Sequence, residues 1–248
     1  MIESTPSRPV QFLRTALAAS WSMLSLVVFI PLALVALPVD RRQRVHDVCS
    51  ILWARGILAL LGVRLVVRGA ERVSRDERYI IVANHQSLLD AAVVVAALQP
   101  LTPVRMVARR NAFRVPLIGW GMRLFGHISV DPRSIRASLP GLQQAQQQVA
   151  RRWSILFFPE GGYSPDGRMR PFYNSAFHIA ARGGVRVVPV TLSGTFDILP
   201  QHLTVPVRGG DVLVTLHPPV GPLEQTHEAA LAASAACHQL VEAALPRP

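Results

Sequence analysis

The residues best suited to chemistry stand in the stretch YIIVANHQSLLD, where Asn84, His85 and Asp90 follow an apolar run that reads as a β-strand. Histidine is the side chain whose ordinary pKa lets it accept a proton near neutrality. A neighbouring carboxylate would hold its tautomer and stabilise the imidazolium. His85 with Asp90 therefore supplies two of the three parts of a serine-hydrolase triad. The third part is missing: there is no Gly-x-Ser-x-Gly elbow, and neither Cys49 nor Cys237 stands in a recognisable pattern with a histidine. A hydroxyl brought by the substrate would take the serine's place, whereas water there would make the same pair a hydrolase. The spacing also fits local architecture, with Ser87 as a helix N-cap and Asp90 completing a capping box.

A second group follows the apolar run that ends at Phe158. In ILFFPEGGYSPDGRMRPF, Glu160 sits in a loop with Gly161 and Gly162, and Arg168 and Arg170 come behind it. Glycines let backbone N–H groups approach a ligand, and arginines can hold phosphate. The SPDG run also makes an ordinary turn.

Such groups need a frame, and the chain beyond Gly62 alternates between β-rich runs and helical stretches. Strands are expected at Leu65–Val67, Tyr79–Ala83, Val104–Val107, Ile128–Val130, Ile155–Phe158, Val185–Leu192 and Val212–Leu216. Helices are expected at Leu88–Leu98, Ile118–Phe125, Ile135–Arg151, Ser175–Ala181 and Glu228–Ala244. This alternation predicts an α/β domain over residues 63–248, its central, mostly parallel sheet flanked by helices, with the site at the strand ends.

Residues 1–62 read differently. No charge occurs from Thr15 to Val39, a run long enough to cross or deeply enter a bilayer, and Pro31 within it predicts a kink or break. A second apolar stretch, Val48–Gly62, is interrupted only by Arg55. One spanning helix, or a bent helical pair lying partly in one leaflet, both fit. Arg8 and Arg14 precede the run and Arg41, Arg42 and Arg44 follow it, a distribution that favours a cytoplasmic catalytic part. The apolar core is too long for a cleaved signal peptide.

Composition agrees with a membrane surface. Half of the residues are hydrophobic, mean hydropathy is +0.30, and the net charge of +11 comes from arginine alone, since there is no lysine. Such a surface attracts anionic headgroups or nucleic acid, but the arginines are scattered and no nucleic-acid-binding motif occurs. The two cysteines are isolated, so neither a disulfide framework nor a metal site is indicated.

Taken together, these stretches resemble the 1-acylglycerol-3-phosphate acyltransferase family from about Leu65 to Leu192. NHQSLLD is similar to that family's first motif, GHISVDPR to its second, FPEGGYSPDGRMRPF to its third and VVPVTLSG, with Pro189 at its centre, to its fourth. The segment VARRNAFRVPLIGWGMRLFG between the first two also resembles the family's linking segment. The resemblance implies a membrane-bound enzyme that moves an acyl group from acyl-CoA or acyl carrier protein to a lysophospholipid hydroxyl. It implies His85 as general base, Asp90 as its orienting partner, and no metal or prosthetic group. For the acceptor it implies Glu160 and Gly161, with Asn84, Arg133, Arg168 and Arg170 as further binding candidates. By the same resemblance the chain would work on the cytoplasmic face of a bacterial inner membrane.

Three departures lie on the acceptor side. The third motif commonly reads Glu-Gly-Thr-Arg, but here Gly162 and Tyr163 follow Gly161; Pro132 replaces an arginine of the second motif; and Tyr173 stands where lysine is common. Either a neighbouring arginine supplies the lost charge, or the acceptor is a lysophospholipid, lyso-aminolipid or glycolipid without a free phosphomonoester. A membrane-binding scaffold would share the apolar run and basic surface but would have no use for His85 beside Asp90.

Overall fold

The computed structural model describes residues 7–40, 43–131, 133–199 and 207–246, so Arg41, Arg42 and Pro132 lie outside the described residues. Helix α1 (Arg8–Ala36) is long and apolar enough to cross a membrane. It runs on through Pro31 rather than breaking there, because Leu26 and Ala33 on either side are buried against the rest of the fold and hold the turn. Helix α2 (Arg44–Leu61) folds back along it, with the Trp21 indole donating to the Trp53 carbonyl at 3.1 Å and lying over Gly56, where a side chain would clash.

The body is a seven-stranded sheet. Its strands are β1 (Val63–Arg68), β2 (Tyr79–Ala83), β3 (Val104–Arg109), β4 (Ile128–Val130), β5 (Ser154–Phe157), β6 (Arg186–Ser193) and β7 (Gly210–Leu216), in the spatial order β1-β7-β6-β2-β5-β3-β4. Neighbours are parallel except β6 and β7, which pair antiparallel from Val190 opposite Leu216 to Ser193 opposite Leu213. β2 is central and all five of its residues are buried, which is why it reads as an unbroken apolar run instead of an alternating one.

Helices cover both faces. Ile81 of β2 packs with α2 and α3 (Asp90–Leu98), while Ile80 and Val82 face α5 (Ile135–Arg151), α6 (Ser175–Gly183) and α8 (His227–Ala243). Two smaller helices complete the chain order, α4 (Ile118–Leu124) and α7 (Thr195–Ile198), the latter unanticipated from sequence. The α1–α2 pair is tied to the body by polar groups as well. Asp47 of α2 accepts from Gln99 at 2.6 Å and meets the buried Arg105 of β3 at 3.4 Å, and the Arg105 guanidinium lies 3.8 Å from the Trp153 ring centre.

Two boundaries matter for the site. β5 stops at Phe157, so Phe158 belongs to the following loop, and α3 starts at Asp90 instead of Leu88. The expected capping box forms only in part. Asp90 Oδ2 accepts from the Ser87 amide at 2.8 Å, but the Ser87 hydroxyl accepts from Leu89 N and donates to the Leu199 carbonyl.

Candidate active site

The carboxyl ends of β2, β5 and β3 lie side by side, and the loops leaving them carry the candidate site residues. His85 leaves β2. Its Nδ1 donates to Asp90 Oδ2 at 2.8 Å, and the same oxygen accepts the backbone amides of Gln86 at 2.7 Å and Ser87 at 2.8 Å. Asp90 is fully buried at the first turn of α3, where the helix's unpaired N–H groups favour a negative charge. Because that carboxylate only accepts, Nδ1 carries the hydrogen and Nε2 holds the lone pair. Among the described residues the ring's hydrogen bond is the one from Nδ1 to Asp90, and the side chain remains 14 % exposed.

The ring is held from the sides as well. Phe158 stacks on it with centroids 4.0 Å apart and planes 17° from parallel, and Tyr163 meets it edge-on at 4.8 Å. These contacts restrict the imidazole to one orientation and shield it from water. The nearby hydroxyls have other partners: Ser87 donates to Leu199, and Ser164 donates to Asp166. Among the described residues no serine hydroxyl or cysteine thiol hydrogen-bonds to the His85 imidazole, so a hydroxyl for it to deprotonate would come from a ligand.

Glu160, only 1 % exposed, takes no part in the open side of the site. Its two oxygens accept the backbone amides of His85 at 2.7 Å and Arg170 at 2.9 Å, bridging the first and third motifs. Burial pushes its pKa up to about 7 despite the lowering by those two amides. The loop is pinned further by Ser164 N donating to the His85 carbonyl at 2.8 Å and by Gln86 Nε2 donating to the Gly167 carbonyl at 2.7 Å. Asp166 closes the SPDG turn by accepting from the Arg168 amide at 3.1 Å.

The other residues singled out in the sequence are placed as follows. Asn84 is completely buried, and its amide spans to β6, accepting from Leu192 N at 2.8 Å and donating to Leu192 O at 2.9 Å. Gly161 has φ +72° with the Tyr173 ring where a Cβ would sit, so a glycine is required there. The side chains of Arg168 and Arg170 are exposed beside the loop. Arg133 is not brought to His85: it lies past β4 at the far edge of the sheet, paired with Asp131 at 2.7 and 2.9 Å.

One cation was not singled out in the sequence. Arg109, the last residue of β3, reaches to the loop leaving the adjacent β5, where its Nε donates to the Gly161 carbonyl at 2.7 Å and its Nη2 bonds the same oxygen. Its guanidinium fills the space that a side chain at Gly162 would need, with Nη2 2.3 Å from a Cβ built there. The turn at Gly161–Tyr163, which lacks the arginine common at that point of the third motif, is thus given one by a neighbouring strand. The signal that could have found it is positional: VARR ends a strand beside β5, at the edge where ligands bind in such sheets.

Comparison with known proteins identifies the family and the fold. A family model described as Acyltransferase matches residues 64–193. A 1-acyl-sn-glycerol-3-phosphate acyltransferase of Chlamydomonas reinhardtii is 32 % identical over 240 residues, covering 94 % of this chain and 70 % of that protein. The chloroplastic 1-acyl-sn-glycerol-3-phosphate acyltransferase BAT2 of Brassica napus is 34 % identical over 180 residues, 72 % of this chain; the chain spans 51 % of that relative's length. The crystal structure of the 1-acyl-sn-glycerophosphate acyltransferase PlsC of Thermotoga maritima has the same fold, with a TM-score of 0.78 at 22 % identity over 95 % of this chain and 92 % of that one. Matched across most of its sheet and both of its site-bearing loops, the chain belongs to the acyltransferase family.

Proposed function

We propose that the protein transfers a fatty acyl group from a thioester to the free hydroxyl of 1-acylglycerol-3-phosphate at a membrane surface. The observation that carries this reading is the His85–Asp90 pair, with Nδ1 bonded to a buried carboxylate and Nε2 left open. Nε2 takes the proton of the acceptor hydroxyl as its oxygen attacks the thioester carbonyl, and the tetrahedral intermediate then expels the thiolate, which recovers the proton from the imidazolium. His85 is the base in this scheme and Asp90 stabilises its charged form. No metal or prosthetic group is required, and coenzyme A or acyl carrier protein carries the acyl group. The similarity to 1-acyl-sn-glycerol-3-phosphate acyltransferases over most of the chain favours this acceptor.

Arg109 is the cation best placed for the acceptor's phosphate, since it sits on the Gly161–Gly162 loop and is exposed. Glu160 and Asn84 act by positioning: the first fixes the backbone of His85 to the third-motif loop, and the second ties the end of β2 to β6. Arg168 and Arg170 lie close enough to the loop to add to its positive field.

The membrane reading follows from how α1 is covered. At about 1.5 Å per residue its 29 residues exceed the roughly 30 Å of a bilayer core. Yet its buried seam of Gln11, Ala18, Ser25 and Ala33 contacts the rest of the protein along the whole helix, from Thr15 accepting the Val207 amide to Leu26 beside Gly121. A helix so flanked lies in one leaflet with its exposed side chains, such as Leu24, Val28 and Val35, toward lipid, rather than crossing alone.

The test is acyl transfer by the purified protein with labelled acyl-CoA and a panel of lyso-lipids, alongside His85→Ala. The expected result is transfer to 1-acylglycerol-3-phosphate that His85→Ala lowers by roughly 10² to 10⁴. Full activity in His85→Ala, or thioester hydrolysis faster than transfer, would refute the mechanism.

A further inference from the structure

A second basic concavity, of about 440 Å³, lies at the opposite edge of the sheet from β1, against β4. Arg110, Arg114 and Arg123 line it together with His127, Ser129 and Gln144, and Phe113 forms part of its wall. Every polar side chain in that lining can donate a hydrogen bond, and none is a carboxylate. The Arg110 and Arg114 side chains are exposed and make no hydrogen bond or ion pair among the described residues. Arg123 donates to the Gly119 carbonyl at 3.2 Å and lies over the Phe113 ring at 5.8 Å, leaving its other N–H groups available. The carboxylate of Asp131, just past β4, is paired with Arg133 and also lies within electrostatic range of Arg110.

His127 contributes a donor of fixed polarity. Its Nδ1 accepts from the Met106 amide at 3.0 Å, so in the neutral ring Nε2 carries the hydrogen. Burial and the neighbouring Arg105 hold its pKa down to about 3, which keeps the ring neutral. The loop that carries Arg114 into α4 is itself constrained. Leu117 takes φ +60° and ψ −56°, and Ile118 N bonds the Pro116 carbonyl across it at 2.7 Å, a tight turn that leucine seldom adopts. The β4 side of this concavity lies about 14 Å from the strand that carries His85, at roughly 4.8 Å per strand across β5 and β3, while Arg110 follows Arg109 at the end of β3. It is close to the apolar helix, since Gly121 of α4 packs on Leu26 and Ile30 of α1, and Val115 and Trp120 are exposed on the same segment.

We propose that this concavity is a phosphate-binding subsite, taking either the nucleotide phosphates of a coenzyme A thioester or the headgroup phosphate of an anionic lipid beside α1. The donor alternative rests on the acyl-transfer reading above, whereas binding of phosphate as such does not.

The experiment compares the wild-type protein with Arg110→Gln/Arg114→Gln, both side chains being exposed and without a hydrogen bond or close ion pair among the described residues, so that folding is preserved and can be verified by circular dichroism. Three measurements are made: the melting temperature with inorganic pyrophosphate; KM for acyl-CoA against KM for acyl-pantetheine, which lacks the nucleotide phosphates; and co-sedimentation with phosphatidylglycerol or phosphatidylcholine vesicles. Pyrophosphate should raise the wild-type melting temperature more than the variant's. A rise in KM for acyl-CoA of about tenfold, with acyl-pantetheine unaffected, supports the site and assigns it to the donor. A comparable loss of affinity for phosphatidylglycerol vesicles alone supports it and assigns it to lipid. Unchanged KM for acyl-CoA together with unchanged vesicle binding overturns the proposal whatever pyrophosphate does. Absence of acyl transfer by the wild type would instead sink the function proposed above and leave vesicle binding to decide the subsite, a loss in the variant supporting it and no change overturning it.

Discussion

Replacing Asp90 by asparagine isolates the electrostatic part of the proposed mechanism. A single oxygen, Oδ2, accepts from His85 Nδ1 and from the Gln86 and Ser87 amides, so an asparagine oxygen in the same place can keep all three bonds and the tautomer. What disappears is the negative charge facing the imidazolium. At the observed 2.8 Å, and with an effective dielectric constant of about 20, that attraction is about 6 kcal/mol for a fully formed imidazolium. The transition state holds only part of that charge, so kcat should fall by roughly 10² to 10⁴ while the KM values change little. Stability should also fall, by about 1–3 kcal/mol, because Oδ1 is buried without a partner and the amide NH₂ that replaces it would be an unsatisfied donor. The assay is steady-state acyl transfer beside urea unfolding. A variant that stays folded and keeps kcat within tenfold of wild type would show that Asp90 shapes the loop without stabilising His85.

Other perturbations test the surrounding frame. The folded pKa of Glu160, about 7, lies above its ordinary 4.5, so its stabilising contribution is whole below about pH 4.5 and is lost as pH rises through about 7. Over that window wild-type unfolding free energy should drop by up to about 3 kcal/mol relative to Glu160→Gln, read from denaturant curves at about pH 5 and 8. Gly141→Ala would place a Cβ 2.3 Å from the Ser129 carbonyl oxygen, which cannot yield, and should cost about 1–3 kcal/mol in chemical denaturation. Gly183→Ala in α6, whose Cβ would meet nothing closer than 3.7 Å, should be neutral or stabilising by up to about 1 kcal/mol in the same measurement. Val28→Asp with Val35→Asp, at positions 62 % and 78 % exposed, should lower binding to vesicles by more than about tenfold without shifting the body's melting temperature.

Local pattern was enough for the frame and for the pairing of His85 with Asp90. An unbroken apolar run such as Tyr79–Ala83 fits a central strand buried on both faces, and the alternation of such runs with helices dictates a largely parallel sheet with its site at the strand ends. His85 and Asp90 were legible because five positions of chain suffice to bring the two side chains together. The antiparallel entry of β7 was not legible, because pairing direction depends on where the connection after β6 returns the chain.

Every role that depends on a partner distant in sequence came only with the folded chain. Glu160 and Asn84 read as ligand-binding polar residues, but the fold commits one Glu160 oxygen and the Asn84 amide to backbone groups 75 and 108 positions away, since a buried polar group must be satisfied. Arg109 becomes part of the third-motif loop only because β3 lies beside β5, and Arg133 is set apart from His85 because β4 is at the sheet's edge. Local patterns reach only as far as the next turn; which strands become neighbours is settled by how the whole chain buries its apolar faces.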